Sequence, residues 1–167
     1  MTEPDSIDFR AAAVPGPQQR LEALGLTLPP VVAPLAAYVP AVRSGAMVYT
    51  SGQLPMVDGQ LVSAGKVGAE VGAAEAAALA RTCALNALAA AASVAGGLSS
   101  IKRIVKLTGF VASAPDFTGQ PQVVNGASEL LLEVFGDAGR HARSAVGMAA
   151  LPLDAPVEIE LIVEVED

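Results

Sequence analysis

Residues 142–166 read ARSAVGMAALPLDAPVEIELIVEVE, and their pattern decides what kind of fold this is. In the second half, Val157, Ile159, Leu161, Val163 and Val165 fall on one side of an extended chain. Glu158, Glu160, Glu164 and Glu166 fall on the other, with Ile162 interrupting the acidic series. A period of two is that of a strand with one face against a core. The first half, ARSAVGMAAL, reads as another strand with Arg143 near its start, and PLDAP (152–156) as a turn. If these two strands pair around that turn, Arg143 lies opposite about residue 163. Glu158 is then five residues further along the ladder, at about 3.3 Å each.

Working outward, IKRIVKLTGFVAS (101–113) is β-branched and alternating, which predicts a strand. Between it and the terminal pair, a helix is expected over about Gln120 to Phe135, ended by GDAG. Gly72 to about Ala95 is a second helical stretch, with Leu79, Cys83, Asn86, Leu88 and Val94 embedded in alanine. Further upstream, AVRSGAMVYTSG reads as a hairpin turning at Ser44-Gly45, and Asp58-Gly59 marks a second turn. Residues 31–40 are punctuated by proline and extended. Residues 1–30 read as an N-terminal extension holding a short helix, with Leu21 and Leu24 on one side and Gly25 as its stop, and 31–167 as the domain. The expected architecture is α+β: one sheet with both helices on a single face. The other face is then free, and in so apolar a chain oligomerisation is a natural way to cover it.

Composition narrows the function. The 167 residues are 52% hydrophobic but only 4% aromatic, so the core is expected to be built from Ala, Val and Leu. The net charge of −7 opposes the basic footprint that nucleic acid requires. Lys102, Arg103 and Lys106 read as a solvated edge. A single cysteine, Cys83, excludes an internal disulfide and fits a reducing, cytoplasmic setting, with the thiol as a small buried hydrophobe. Residues 82–101 carry no charge for the length of a spanning helix, yet Ala, Asn86, serines and Gly96-Gly97 argue for a soluble protein without a membrane role. MTEPDSIDFR lacks a basic segment followed by an apolar one, so no secretory leader is expected.

Neither a phosphate-binding P-loop nor a dinucleotide fingerprint is present. With one His and one Cys, zinc would need mainly carboxylate ligands, so no metal is expected. A Ser-His-Asp triad could use only His141, and nothing in the sequence singles out its partners. What remains is a scatter of polar residues in apolar surroundings: Tyr38, Ser51-Gly52, Asn125, Arg143 and Glu158. Arg143 opens a strand, which aims its guanidinium, and a two-pronged donor suits a carboxylate. On spacing alone, an ordinary salt bridge at a strand end is the more economical explanation. Arg140 reads as a surface charge near a helix C-terminus, and His141 as a pocket-rim or interface residue rather than a base.

Three segments together resemble the RidA/YjgF family of enamine and imine deaminases: YVPAVRSGAMVYTSGQLP, then VNGASELLLEVFGDAGRHARSAVGMAALPLDAPVEIELIVEVE, and the helix-strand order between them. The likeness covers about residues 31–166, and Ala-Arg-Ser, Leu-Pro and Glu-Ile-Glu downstream of Thr-Ser-Gly-Gln make it specific. The resemblance implies a chorismate-mutase-like mixed sheet assembled as a homotrimer, with pockets between subunits. It implies that Arg143 grips a substrate carboxylate, that Glu158 positions water or moves a proton, and that Tyr38 belongs to the catalytic set. Ser51, Gly52, Asn125 and Ala145 match substrate-binding positions. Many relatives carry Cys where this chain has Ala145; hydrolysis does not need a thiol, so the change reads as loss of a redox-sensitive contact.

The implied reaction is hydrolysis of small 2-enamino or 2-imino carboxylates to 2-keto acids and ammonia. Arg143 anchors the carboxylate and Glu158 activates water. No cofactor is needed, because such substrates already hydrolyse spontaneously and ask only for modest positional and electrostatic help. The expected partners are a carboxylate-bearing metabolite and other copies of the chain. The competing reading is a non-catalytic trimer that binds such a metabolite. A third, an endoribonuclease or translation inhibitor of the L-PSP type, is opposed by the acidic charge.

Overall fold

The computed structural model describes residues 14–166. The segment MTEPDSIDFR, on which the absence of a leader was read, lies outside them. The chain begins with a short helix α1 (Pro17–Ala23), whose Leu21 is fully buried, and Gly25 follows it at φ +72°. Leu24 does not share that burial; it is 40% exposed. A hairpin follows, β1 (Ala41–Ser44) and β2 (Met47–Thr50), then a two-residue hairpin, β3 (Met56–Val57) and β4 (Gln60–Leu61). Asp58 and Gly59 turn the latter at φ +50° and +77°, which is the geometry that an Asp-Gly pair supplies most readily.

The long helix α2 (Ala73–Ala95) ends at Gly96, in the left-handed conformation that a residue without Cβ adopts freely. Strand β5 (Ile101–Ala112), helix α3 (Gln120–Phe135), β6 (Ala142–Met148) and β7 (Val157–Val165) complete the order. Helix α2 has the length and hydropathy of a membrane span, but it packs as the core helix, with Cys83, Ala84, Ala87 and Leu88 fully buried.

The main sheet runs β1-β2-β7-β5-β6. Only β5 and β6 are parallel, because the helix α3 between them carries the chain back to the end where β5 began. The conditional pairing of 143–149 with 157–165 is therefore not formed. Strand β5 lies between the two, and the 149–156 connection crosses its end, where Ala112 N–H donates to Pro156 O and Ser113 N–H to Met148 O. Both long helices cover one face, as the alternation of β7 requires. Val157, Ile159, Leu161, Val163 and Val165 are all buried beneath them. In β5 a register irregularity between Ile104 and Lys106 puts Ile104 on the same buried side as Leu107, which simple alternation does not predict.

Two glycines set how closely α3 approaches its neighbours. A Cβ on Gly126 would overlap the backbone carbonyl of Ala77 in α2, and one on Gly109 of β5 would overlap the Val124 side chain. Alanine and glycine at these contacts seat α3 deep against sheet and helix. Among the described residues no helix covers the opposite face of the sheet, and Val42, Tyr49 and Val146 are 52%, 46% and 42% exposed there.

Candidate functional site

Residues 50–53, Thr-Ser-Gly-Gln, divide four jobs among themselves. The buried Thr50 hydroxyl accepts from Leu161 N–H at 2.9 Å, so a side chain replaces a main-chain partner where β2 leaves β7. Ser51 holds the 38–40 segment: its hydroxyl donates to Val39 O at 2.6 Å and its N–H to Pro40 O at 2.8 Å. Gln53 pairs with Ile159 through both main-chain bonds. Gly52 has to lack a side chain, because a Cβ would overlap Glu158 Oε1.

Glu158 therefore lies directly over the Gly52 backbone. It is half-buried, and among the described residues no cation pairs with it. Burial raises its carboxyl above the ordinary glutamate range, and the neighbouring charge of Glu160 raises it further. Tyr38 borders the same region. It lines a small cleft of about 30 Å³ with Gly52, Gln53, Leu54 and Pro40, and its hydroxyl accepts from Leu35 N–H at 3.2 Å. A larger groove, about 370 Å³, lies between residues 29–33, the β3–β4 turn and α2, and none of the predicted site residues lines it.

Arg143 sits elsewhere. In register it faces Leu107 of β5, so its side chain rises on the helix-covered side of the edge strand β6. There it meets one stripe of α3, residues 121, 125 and 128, spaced as one helical face requires. Nη1 donates to Asn125 Oδ1 at 2.8 Å and to Ser128 Oγ at 3.2 Å, and Nη2 donates to Pro121 O at 3.3 Å. The salt-bridge explanation fails among the described residues: every one of these acceptors is neutral, and no carboxylate pairs with Arg143. Ala145 stands one place on along the same side of β6, opposite Gly109. Arg140 is the surface charge expected of it, 3.2 Å from the exposed Asp137 carboxylate.

The predicted residues thus form two groups. Gly52, Ser51, Tyr38 and Glu158 gather around the start of β7, while Arg143, Asn125 and Ala145 gather at the β6–α3 edge. Glu158 faces Phe110 on β5 and Arg143 faces Leu107, three residues apart. That is roughly 10 Å along the strands and roughly 10 Å across them. The odd offset also places the two side chains on opposite faces of the sheet. Within one chain they do not meet.

Sequence reading missed Ser128, and it missed what His141 touches. His141 Nε2 is 3.0 Å from Ser128 Oγ, and its Nδ1 is 2.6 Å from Gly139 O. The available signal was the 121/125/128 spacing on α3.

A mixed sheet backed by two helices, with an arginine at one edge that no carboxylate pairs among the described residues and a half-buried glutamate over a glycine, defines a small α+β protein. The family model described as "YjgF/chorismate mutase-like, putative endoribonuclease" matches residues 18–165, and the chain belongs to this family. Protein TCP17 of Trypanosoma cruzi is 46% identical over 148 residues, covering 88% of this chain and 92% of that protein. Among solved structures, Atu1372 of Agrobacterium tumefaciens, described as of unknown function, is 50% identical with a TM-score of 0.82, over 90% of this chain and 92% of that one. TdcF of E. coli, solved with bound serine, is 28% identical with a TM-score of 0.61, over 84% and 96% of the two chains.

Proposed function

We propose that this protein hydrolyses small 2-imino carboxylates, and their 2-enamino tautomers, to 2-keto acids and ammonia. One observation carries the proposal: among the described residues, Arg143 is held only by neutral acceptors, which leave part of its fork, and its charge, for an anion. Three of its five N–H groups are committed. The order Pro121, Asn125, Ser128 along α3 matches the order of hydrogens around a guanidinium, from the outer Nη2–H across both Nη1–H groups. What remains is Nε–H and the inner Nη2–H, one edge with the spacing of a carboxylate. TdcF, a relative, holds serine, a molecule that carries such a group.

In the reaction, water adds to the C=N carbon, the nitrogen gains protons, and the C–N bond breaks as the carbonyl forms. Glu158 is suited to pass the proton, because a carboxyl raised by burial is closer to neutrality and serves as base and then acid. Tyr38 and the backbone at Gly52 bound the space beside it. Since Arg143 and Glu158 are separated within one chain, the reading requires a neighbouring copy to bring them together, as a homotrimer whose exposed sheet face is covered. That separation also favours the competing reading, a metabolite-binding protein in which Arg143 acts alone. A single buried thiol is compatible with cytoplasmic work, and a net charge of −7 opposes RNA as substrate.

The test is ammonia and pyruvate release from freshly generated 2-iminopropionate. Wild type should accelerate both, and Arg143→Ala should reduce the acceleration by about 100-fold, the scale of losing a charged anchor. No acceleration by a folded, oligomeric wild type, while pyruvate still binds, would establish the binding protein instead.

A further inference from the structure

The β6–α3 edge contains a hydrogen-bond chain that the reaction scheme above does not use. Its directions follow from the chemistry of the groups. Gly139 O only accepts, so the nitrogen 2.6 Å away, His141 Nδ1, carries the proton. In the neutral ring Nε2 is then an acceptor, and the Ser128 hydroxyl 3.0 Å away donates to it. That donation turns the Ser128 lone pairs toward Arg143, whose Nη1–H donates to the same oxygen at 3.2 Å. The sequence of donors is Arg143 to Ser128 to His141 to the Gly139 carbonyl.

Each link has a backbone reason to be where it is. Gly139 lies in the turn after α3, packed so closely on that helix that a Cβ would overlap Leu131 O. This anchors the carbonyl to the same helix that bears Ser128. His141 and Arg143 are two residues apart in an extended segment, so both side chains leave on the same side, toward α3. Ser128 and His141 are half-buried, which shields the chain from competing water.

We infer that His141 is a positioning residue: through Ser128 it sets the rotation of the Arg143 guanidinium and so the direction of its free edge. A serine left to itself rotates its hydroxyl freely and can point its hydrogen at Arg143. With Nε2 taking that hydrogen, the oxygen presents only lone pairs to Nη1. The kinetic consequence rests on the proposed role of Arg143 as carboxylate anchor; the structural consequence does not.

Two measurements separate these. In ¹⁵N-labelled wild type without ligand, NMR should find His141 protonated on Nδ1 and bare on Nε2, with distinct, slowly exchanging Nη signals for Arg143. In Ser128→Ala and His141→Phe the Nη signals should average. Pyruvate is the carboxylate probe. Its dissociation constant should rise about fivefold to tenfold in both variants, the scale of one ordinary hydrogen bond lost from the network that orients the guanidinium. With 2-iminopropionate as substrate, KM should rise by a similar factor while kcat falls less than about twofold. His141→Gln, which returns an acceptor toward Ser128, should recover most of the affinity. Should His141→Phe fail to fold, Ser128→Ala removes a single hydroxyl and decides alone. A proton on Nε2, or Arg143 signals unchanged in both variants, overturns the inference. If the NMR pattern holds but wild type binds no pyruvate, the relay stands and the carboxylate-anchor reading falls.

Discussion

The two groups of candidate residues, one at the β6–α3 edge and one at the start of the central strand β7, handle charge in opposite ways. At the β6–α3 edge a cation is surrounded by neutral acceptors, the Asn125 amide, the Ser128 hydroxyl and the Pro121 carbonyl. Its charge is stabilised and its position is set. Near the start of β7 an anion is pressed over a glycine, half-buried, with another carboxylate beside it at Glu160. Here nothing of opposite sign among the described residues balances the charge, and the carboxyl answers by holding its proton more tightly. The contrast teaches that an arginine, whose guanidinium stays protonated in proteins, is tuned by geometry. A glutamate is tuned by how far it is withdrawn from water. The first arrangement fixes the direction of a cation, and the second shifts a carboxyl toward its protonated form.

The comparison breaks most readily at the seat of α3. Gly126→Ala places a methyl group into the Ala77 carbonyl and has to push α3 off α2. It should cost about 3 kcal/mol and lower the melting temperature by roughly 10 °C, read by calorimetry. Asn125 and Ser128 would move with the helix, so the Arg143 NMR signals should change too.

Arg143→Lys keeps the charge and removes the fork. An ammonium cannot serve three helix acceptors and still offer two parallel donors. A rise of about tenfold in the pyruvate dissociation constant, with an unchanged melting temperature, would confirm that geometry matters at this edge. Equal affinity would show that charge alone suffices.

Glu158→Gln sharpens the other side. Because the folded carboxyl has a raised pKa, the native state binds more protons than the unfolded chain between the two values, and wild-type stability falls as pH rises through that window. The variant should therefore gain on wild type as pH climbs from about 4, the ordinary glutamate range, to neutrality. Denaturant melts across pH check this, and the difference should vanish below that range. The smallest effect belongs to Arg140→Ala. Its partner Asp137 is fully exposed, so stability and pyruvate binding should both stay near wild type.

Much of the architecture was legible because it is locally caused. Helix α3 runs Gln120–Phe135, as the apolar spacing and the following GDAG indicate, and β7 buries the side that its alternation marks. Gly52 and Glu158 were separately visible, and Asn125 and Arg143 were both singled out. What could not be read was which of these share a site. A period of two says which face a residue occupies, but it does not say which strand lies alongside. The short 149–156 connection suggests a hairpin, yet β5 enters between β6 and β7, because the α3 crossover returns the chain parallel to β5.

His141 and Ser128 illustrate the same boundary. One is a lone histidine before a strand, the other a serine among apolar residues in a helix, thirteen positions away. No local rule joins them. The amino-acid sequence by itself determined the elements, the buried face of β7, the acidic charge and the family pattern, because sterics and hydrophobic periodicity act over a few neighbouring residues. Only the tertiary structure decided strand order, the fork of Arg143, the burial that raises Glu158, and the separation of the two groups. Those depend on contacts between segments distant in the chain, made once the core has closed around Gly109 and Gly126.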